Sequence, residues 1–225
     1  MAATVEALQQ DLSAEGLTWL GGFATTPEDT LPETTPGARP ATLALVGNAG
    51  SAMWRAFQTA PEFAVRPDPL NAWTRRVLTD LARRHGAHVV FPFDGPPYWP
   101  FQQWALRAGG VSQSPLGLLV HGTYGPWLAY RGALLFDAAI ALPAPEPASG
   151  PCETCAEKPC LDACPAGALT RQSSYDVGAC RGYVASDPEP DCAARGCLVR
   201  HACPFGRDYV YDPAQARFHM AAFVR

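Results

Sequence analysis

Eight cysteines, all between Cys152 and Cys203, are the residues of this chain with the clearest capacity for chemistry. Their order is Cys152-x2-Cys155-x4-Cys160-x3-Cys164-Pro165, then an isolated Cys180, then Cys192-x4-Cys197-x5-Cys203-Pro204. A bacterial ferredoxin run is C-x2-C-x2-C-x3-C-P, in which three neighbouring thiolates wrap one cubane and the fourth reaches a second cluster. Proline after that fourth cysteine leaves no N–H unpaired and fixes the turn. Two Cys-Pro units and eight thiolates match two [4Fe-4S] clusters. The same logic groups Cys152, Cys155 and Cys160 with Cys203, and Cys164 with Cys180, Cys192 and Cys197. The x4 and x5 spacings depart from the ferredoxin run. Two four-thiolate zinc sites would staple the segment equally well, although zinc gives no reason for both groups to end in Cys-Pro. Disulfides are the third option, disfavoured by the compartment expected below.

The 225 residues suffice for one large or two modest domains. A net charge of −4 offers no basic surplus for nucleic acid or an anionic membrane. Sixteen of the seventeen basic residues are arginine, with Lys158 the exception. The first residues, MAATVEALQQDLSAEG, show no basic and apolar leader, and no run reaches the roughly twenty apolar residues of a membrane span. A reducing cytoplasm is expected, and there clustered cysteines point to metal.

The elements that must position these residues read as follows. Residues 3 to 15 form a short amphipathic helix, GLTWLGGFAT a strand, and 42–47 a buried strand leading through GNAGS into a helix. From about 68 to 85, Leu70, Trp73, Val77, Leu78 and Leu81 recur at helical spacing, with Asp68 placed to cap, Pro69 at the first position and Gly86 at the exit. AHVVFPF reads as a strand, 101–110 as a helix, and GLLVHG and PWLAYRGALLF as strands about a GTYGP turn. The expected fold class is α+β or α/β. Residues 1–142 form a sheet-and-helix cofactor or substrate domain, 143–151 a proline-rich linker, 152–211 a small ferredoxin-like domain, and 212–225 a tail.

The cysteine order, with Cys180 in CRGYVASD, resembles the two-cluster ferredoxin domain of epoxyqueuosine reductases and corrinoid reductive dehalogenases. Residues 117–136, with Tyr124-Gly125-Pro126-Trp127 and Arg131-Gly132, resemble a segment shared by those reductases and the CblC-type cobalamin-processing proteins. TLALVGNAGSAMW resembles the start of the CblC type. The resemblance implies a nitroreductase-related, flavin-reductase-like domain holding cobalamin or flavin, fed with electrons by the clusters. An external ferredoxin or flavodoxin-type reductase would supply them, for a small-molecule or corrinoid substrate. Nitroreductase-related folds often form homodimers. The reductases resembled grip tRNA with further C-terminal sequence, whereas this chain stops at Arg225 and is acidic, so no tRNA partner is expected.

The resemblance also gives Asp94, before the helix ending in Ala108-Gly109, as a proton donor. Beside Tyr98 and Trp99 its carboxyl would be desolvated and its pKa raised. The alternative is an Asp-Gly-Pro turn. Gly47, Asn48 and Gly50 open a strand–helix loop able to approach a phosphate or the corrinoid tail, or simply form a tight turn. His121 is a cobalt-ligand candidate or a turn histidine. Tyr98, Trp99, Phe101, Trp104, Tyr124 and Trp127 would wall a flat macrocycle or fill a core, with Gly125 of the glycine-aromatic turn a further cofactor-binding candidate, and Arg131 would bond cofactor amides or pair with Asp137. His201 is a cluster-sulfur donor or a solvated loop residue. A first domain of about 140 residues is compact for enclosing a whole corrinoid. That favours the alternative of an electron carrier or scaffold whose first domain binds a partner.

Overall fold

In the computed structural model, which describes residues 4–145, 150–171, 175–186 and 188–225, strand β2 (Thr42–Ala49) is buried along its whole length. Such a strand needs cover on both faces and a partner on each edge. Its partners are β1 (Thr18–Ala24) and β6 (Leu128–Phe136), and β3 (His88–Val90) completes a four-stranded sheet in the order β1-β2-β6-β3. β1 pairs antiparallel with β2, and β3 antiparallel with β6. The sheet is therefore of the mixed α+β kind.

Helix α1 (Val5–Ala14) is capped by the Thr4 hydroxyl and buries Val5, Leu8 and Leu12. α2 (Ala52–Gln58) buries Met53, Trp54 and Phe57. α3 (Pro69–His85) buries the stripe expected of it, from Leu70 to Leu81, and stops at Gly86 in the left-handed region (φ 65°). Asp68 occupies its cap position without a side-chain bond. α3 lies close on β6: a Cβ at Gly132 would stand 2.5 Å from Leu78 Cδ1. β3 ends at Val90 rather than running to Phe93, because Pro92 has no N–H for a ladder. α4 (Phe101–Ala108) buries Phe101, Trp104, Ala105 and Ala108.

The chain divides into two compact units: Met1–Gly110 with Ala129–Ala148, and Val111–Leu128 with Ser149–Arg225. The boundary read from composition, at 142, keeps 111–128 with the first domain, whereas the fold groups that stretch with the cysteines. The reason is local packing. β4 (Val111–Gln113) and β5 (Leu119–His121) form a hairpin, and Leu116 at its turn shares a core with Cys160, Leu161, Leu169 and Val199. Of the expected linker 143–151, residues 146–149 lie outside the described residues.

The second unit continues with short helices: α5 (Pro151–Thr154), α6 (Val177–Val184), α7 (Asp191–Arg195) and α8 (Leu198–His201), with 3-10 turns at Pro159–Asp162 and Arg207–Tyr209. Residues 212–225, read as a tail, instead form α9 (Pro213–Phe223), capped by the Asp212 carboxylate and packed on α7. No described helix is long and apolar enough to cross a membrane.

Candidate metal centres

The helices carrying the cysteines are four to eight residues long, too short to be stable from their own hydrogen bonds. α5, α7 and α8 carry cysteine at or beside their ends, and α6 carries Cys180 midway along its length. All eight thiols are free; Cys160, Cys192 and Cys203 are buried and the others half-buried.

Their mutual repulsion sorts them. Burial pushes the Cys152 thiol up first, and Cys203, Cys160 and Cys155 add to it. Cys160 is raised by burial and by Cys203 and Cys155; Cys203 by burial and by Cys155. All pairs within 152, 155, 160 and 203 are thus within electrostatic reach. Cys192 is raised by burial, then by Cys197, Cys164 and Cys180. Burial also raises Cys197, to which Cys180 adds. Cys164, only four residues beyond Cys160, belongs with the second group. The fold brings together the two sets of four.

The second set surrounds a cavity of about 330 Å³. One water takes roughly 30 Å³ of liquid, so this space suits a multi-atom group better than a lone ion. Among the described residues no three His, Cys, Asp or Glu side chains are arranged to hold one metal ion. The four thiols of the second set stand around that volume.

The residues present fit an anionic thiolate-held cluster. Backbone N–H groups are aimed at sulfur: Val199 and Arg200 at Cys197, Leu198 at Cys192, Phe205 at Cys203, Leu161 at Cys160. Cations stand beside the thiols as well, Lys158 near Cys152 and Arg207 near Cys203. Lys158 itself is held at φ 44°, its ammonium donating to the Cys155 carbonyl (3.1 Å). Both features stabilise thiolate over thiol.

The other expected residues fall differently. Gly47 is filled by structure, since a Cβ there would meet Ala129 O at 2.1 Å and Leu20 Cδ1 at 2.6 Å. Asn48 is buried, and Gly50 turns the chain at φ 62°. Arg131 spans to α3, donating to Thr74 Oγ1 (3.1 Å) and Asn71 Oδ1 (3.1 Å); Asp137 instead accepts from Thr34 (2.5 Å). Asp94 accepts from Arg75 (2.5 Å), whose guanidinium lies over Phe91 and Phe93. Tyr98 is 64% exposed and Trp99 stacks on Trp104. The desolvated carboxyl expected beside those two aromatics is thus an ion pair with a residue nineteen positions upstream.

In the second unit, the His121 ring Nδ1 accepts the Thr123 N–H (3.0 Å) and packs on Tyr124, as a turn histidine does. Gly125 (φ 58°) and Gly206 (φ 69°) face each other. A Cβ on Gly125 would meet Phe205 O at 2.3 Å, and one on Gly206 would meet Tyr124 O at 2.2 Å. The glycine-aromatic turn therefore closes on the segment after Cys203-Pro204. Trp127 is buried against Tyr211 and His201, and His201 Nε2 lies 3.0 Å from the Arg195 carbonyl.

No family model matches the chain. Over 116 residues it is 31% identical to an epoxyqueuosine reductase of Synechocystis sp., a match covering 51% of this chain and 35% of that protein. The chain resembles epoxyqueuosine reductase. It spans about a third of the length of that curated relative. An epoxyqueuosine reductase solved with a tRNA-Tyr epoxyqueuosine-modified stem loop has the same fold, with a TM-score of 0.52 and 16% identity over 94% of this chain and 69% of the other. Epoxyqueuosine reductase from Streptococcus thermophilus gives 0.51, 16%, 94% and 69%. A C. elegans B12-trafficking protein CblC overlays with a TM-score of 0.43 and 15% identity, over 60% of this chain and 70% of that one.

The expectation of no tRNA partner is overturned by the stem-loop complex of the epoxyqueuosine reductase. Net charge was the wrong quantity to use, because phosphate contacts depend on where the arginines lie rather than on the sum. Cavity-lining residues outside the cysteine motif were also missed: Arg200, Tyr175, Tyr183, and His219, Met220 and Phe223 of α9. Only Tyr183, one helical turn beyond Cys180, carried a signal in its spacing.

Proposed function

We propose that this chain is an iron–sulfur redox protein with two [4Fe-4S] clusters. Cys152, Cys155, Cys160 and Cys203 would hold one, and Cys164, Cys180, Cys192 and Cys197 the other. The observation that carries this reading is the gathering of eight thiols into two sets of four, one set lining a cavity larger than an ion. When bound, such clusters supply one-electron transfer at potentials set by hydrogen bonds to sulfur and by exposure. The chain's own contribution is to aim amides and cations at the thiolates and to keep water away from them.

The likeness to epoxyqueuosine reductase supports a redox role, and the CblC-type resemblance of residues 117–136 supports a corrinoid-linked one. The proposed substrate class is accordingly a modified tRNA stem loop or a corrinoid presented to the first unit. Gly47 and Arg131 contribute no open cradle for a corrinoid, being occupied by Ala129 and by α3. That placement favours a second reading, in which the first unit binds a partner rather than a cofactor.

The test is iron, acid-labile sulfide and zinc content of anaerobically purified protein, with its visible spectrum. About eight irons and eight sulfides per chain are expected. Stoichiometric zinc with no visible band would overturn the redox reading. Titration with cobalamin then separates the two readings of the first unit: a spectral change in cobalamin supports the cofactor, and an unchanged spectrum with intact clusters supports the partner. Turnover of an epoxyqueuosine-modified stem loop with a chemical reductant tests the tRNA substrate directly.

A further inference from the structure

The wall of the second cavity carries one guanidinium with an unmet donor. Arg200 lines the cavity together with Cys164, Cys180, Cys192 and Cys197. Its Nη2 donates to the Pro126 carbonyl, and its Cζ lies 4.8 Å from the ring centroids of both Trp127 and Tyr211. Its Nε is buried and has no hydrogen-bond partner among the described residues. A buried donor on a charged group is costly to leave unmet, and more so without a counter-charge. The described structure holds the cation on two aromatic faces and one carbonyl, none of which carries a formal negative charge. The thiols of the cavity are the acidic groups at hand, and Cys197, whose carbonyl accepts the Arg200 N–H (3.1 Å), is the nearest in the chain.

We propose that Arg200 is a positioning residue for the second four-cysteine centre: its charge raises that centre's reduction potential and ties the centre to the Pro126–Trp127 turn. The inference rests on the cluster reading above. Reduction adds one electron, hence one negative charge, to a group already anionic. A fixed cation alongside favours the reduced state, and its loss shifts the equilibrium toward the oxidised one. The first centre has its own cations, Lys158 and Arg207, so the two centres are tuned separately.

The experiment is a dithionite titration of the anaerobically purified full chain, followed by electron paramagnetic resonance, on wild type, Arg200→Gln and Arg200→Lys. In Arg200→Gln the reduction equilibrium of one centre is expected to fall about tenfold, a drop of ~59 mV for one electron, while the other stays put. Arg200→Lys keeps the charge and should shift less than half as far. In a Cys160→Ser background the Gln shift should persist, and in a Cys192→Ser background it should vanish. Unmoved potentials in Arg200→Gln at full iron content would overturn the inference. So would equal loss of about four irons in both Arg200 variants, which marks a structural role alone. A wild-type chain without cluster signals would sink the cluster reading itself, a distinct result.

Discussion

At the scale of single residues, the division of the thiols makes a sharp expectation. Cys164 sits four residues beyond Cys160 yet neighbours Cys192 in space. On the proposed cluster reading, Cys164→Ser and Cys192→Ser should therefore lose the same centre, and Cys160→Ser and Cys203→Ser the other. Each single variant should retain about four of eight irons, with two distinguishable residual spectra rather than four. A common spectrum from Cys160→Ser and Cys164→Ser would refute the grouping. This division was legible from spacing because a Cys-Pro turn redirects one thiolate away from its neighbours. Asp94 was not legible in the same way. Its partner Arg75 reaches it only because α3 runs alongside the 91–94 segment, and no local pattern encodes that.

Proton linkage belongs at this scale too. The raised thiols of Cys152, Cys160, Cys192, Cys197 and Cys203 owe their shift first to burial, so the metal-free fold prefers them protonated. Groups whose folded pKa lies above the unfolded value contribute stability that is intact below the unfolded pKa and lost as pH rises through the folded one. Metal-free protein should thus hold steady up to about pH 8.5 and weaken above it. Thermal melts across pH 7 to 10 check this. Loading metal should release protons, measurable as buffer-dependent heat.

Among the elements, the sequence was most informative where burial follows a period. The α3 stripe and the fully buried β2 both stand where spacing puts them. Leu78→Ala in that stripe should cost about 2–5 kcal/mol, read from denaturant midpoints. Spacing also placed β6 as a strand, but not the role of its Arg131-Gly132 pair, which serves the α3 contact. Glycine at 132 admits Leu78, and Arg131 fastens to Asn71 and Thr74. Nor did it reveal α9, because residues 212–225 have no clear apolar period. The facing turns at Gly125 and Gly206 carry their own prediction. Gly125→Ala adds a Cβ against the Phe205 carbonyl in a left-handed conformation. It should destabilise by about 1–3 kcal/mol or more, with loss concentrated in the second unit by hydrogen exchange.

For the whole molecule, the two units rest on different sources of stability. The first has a sheet with a conventional aliphatic and aromatic core. The second builds part of its core from cysteine, Cys160 lying beside Leu116, Leu161, Leu169 and Val199, with Cys164 and Cys197 against them. Stripping metal under anaerobic conditions should raise hydrogen exchange across 151–211 while β2 stays protected. Equal loosening of both would mean that the first unit depends on the metal as well.

The discontinuity of the first unit bears on how the chain is made. Synthesis runs from the amino end, and β1, β2 and β3 emerge well before β6, the strand that stands between β2 and β3. The nascent sheet must therefore wait on the ribosome with the inner edge of β2 open, while the whole 111–128 hairpin is threaded out ahead of the strand that fills the gap. At translation rates of about 5–20 residues per second, that wait lasts seconds, a window in which an unfilled apolar strand is open to chaperones or to the wrong neighbour.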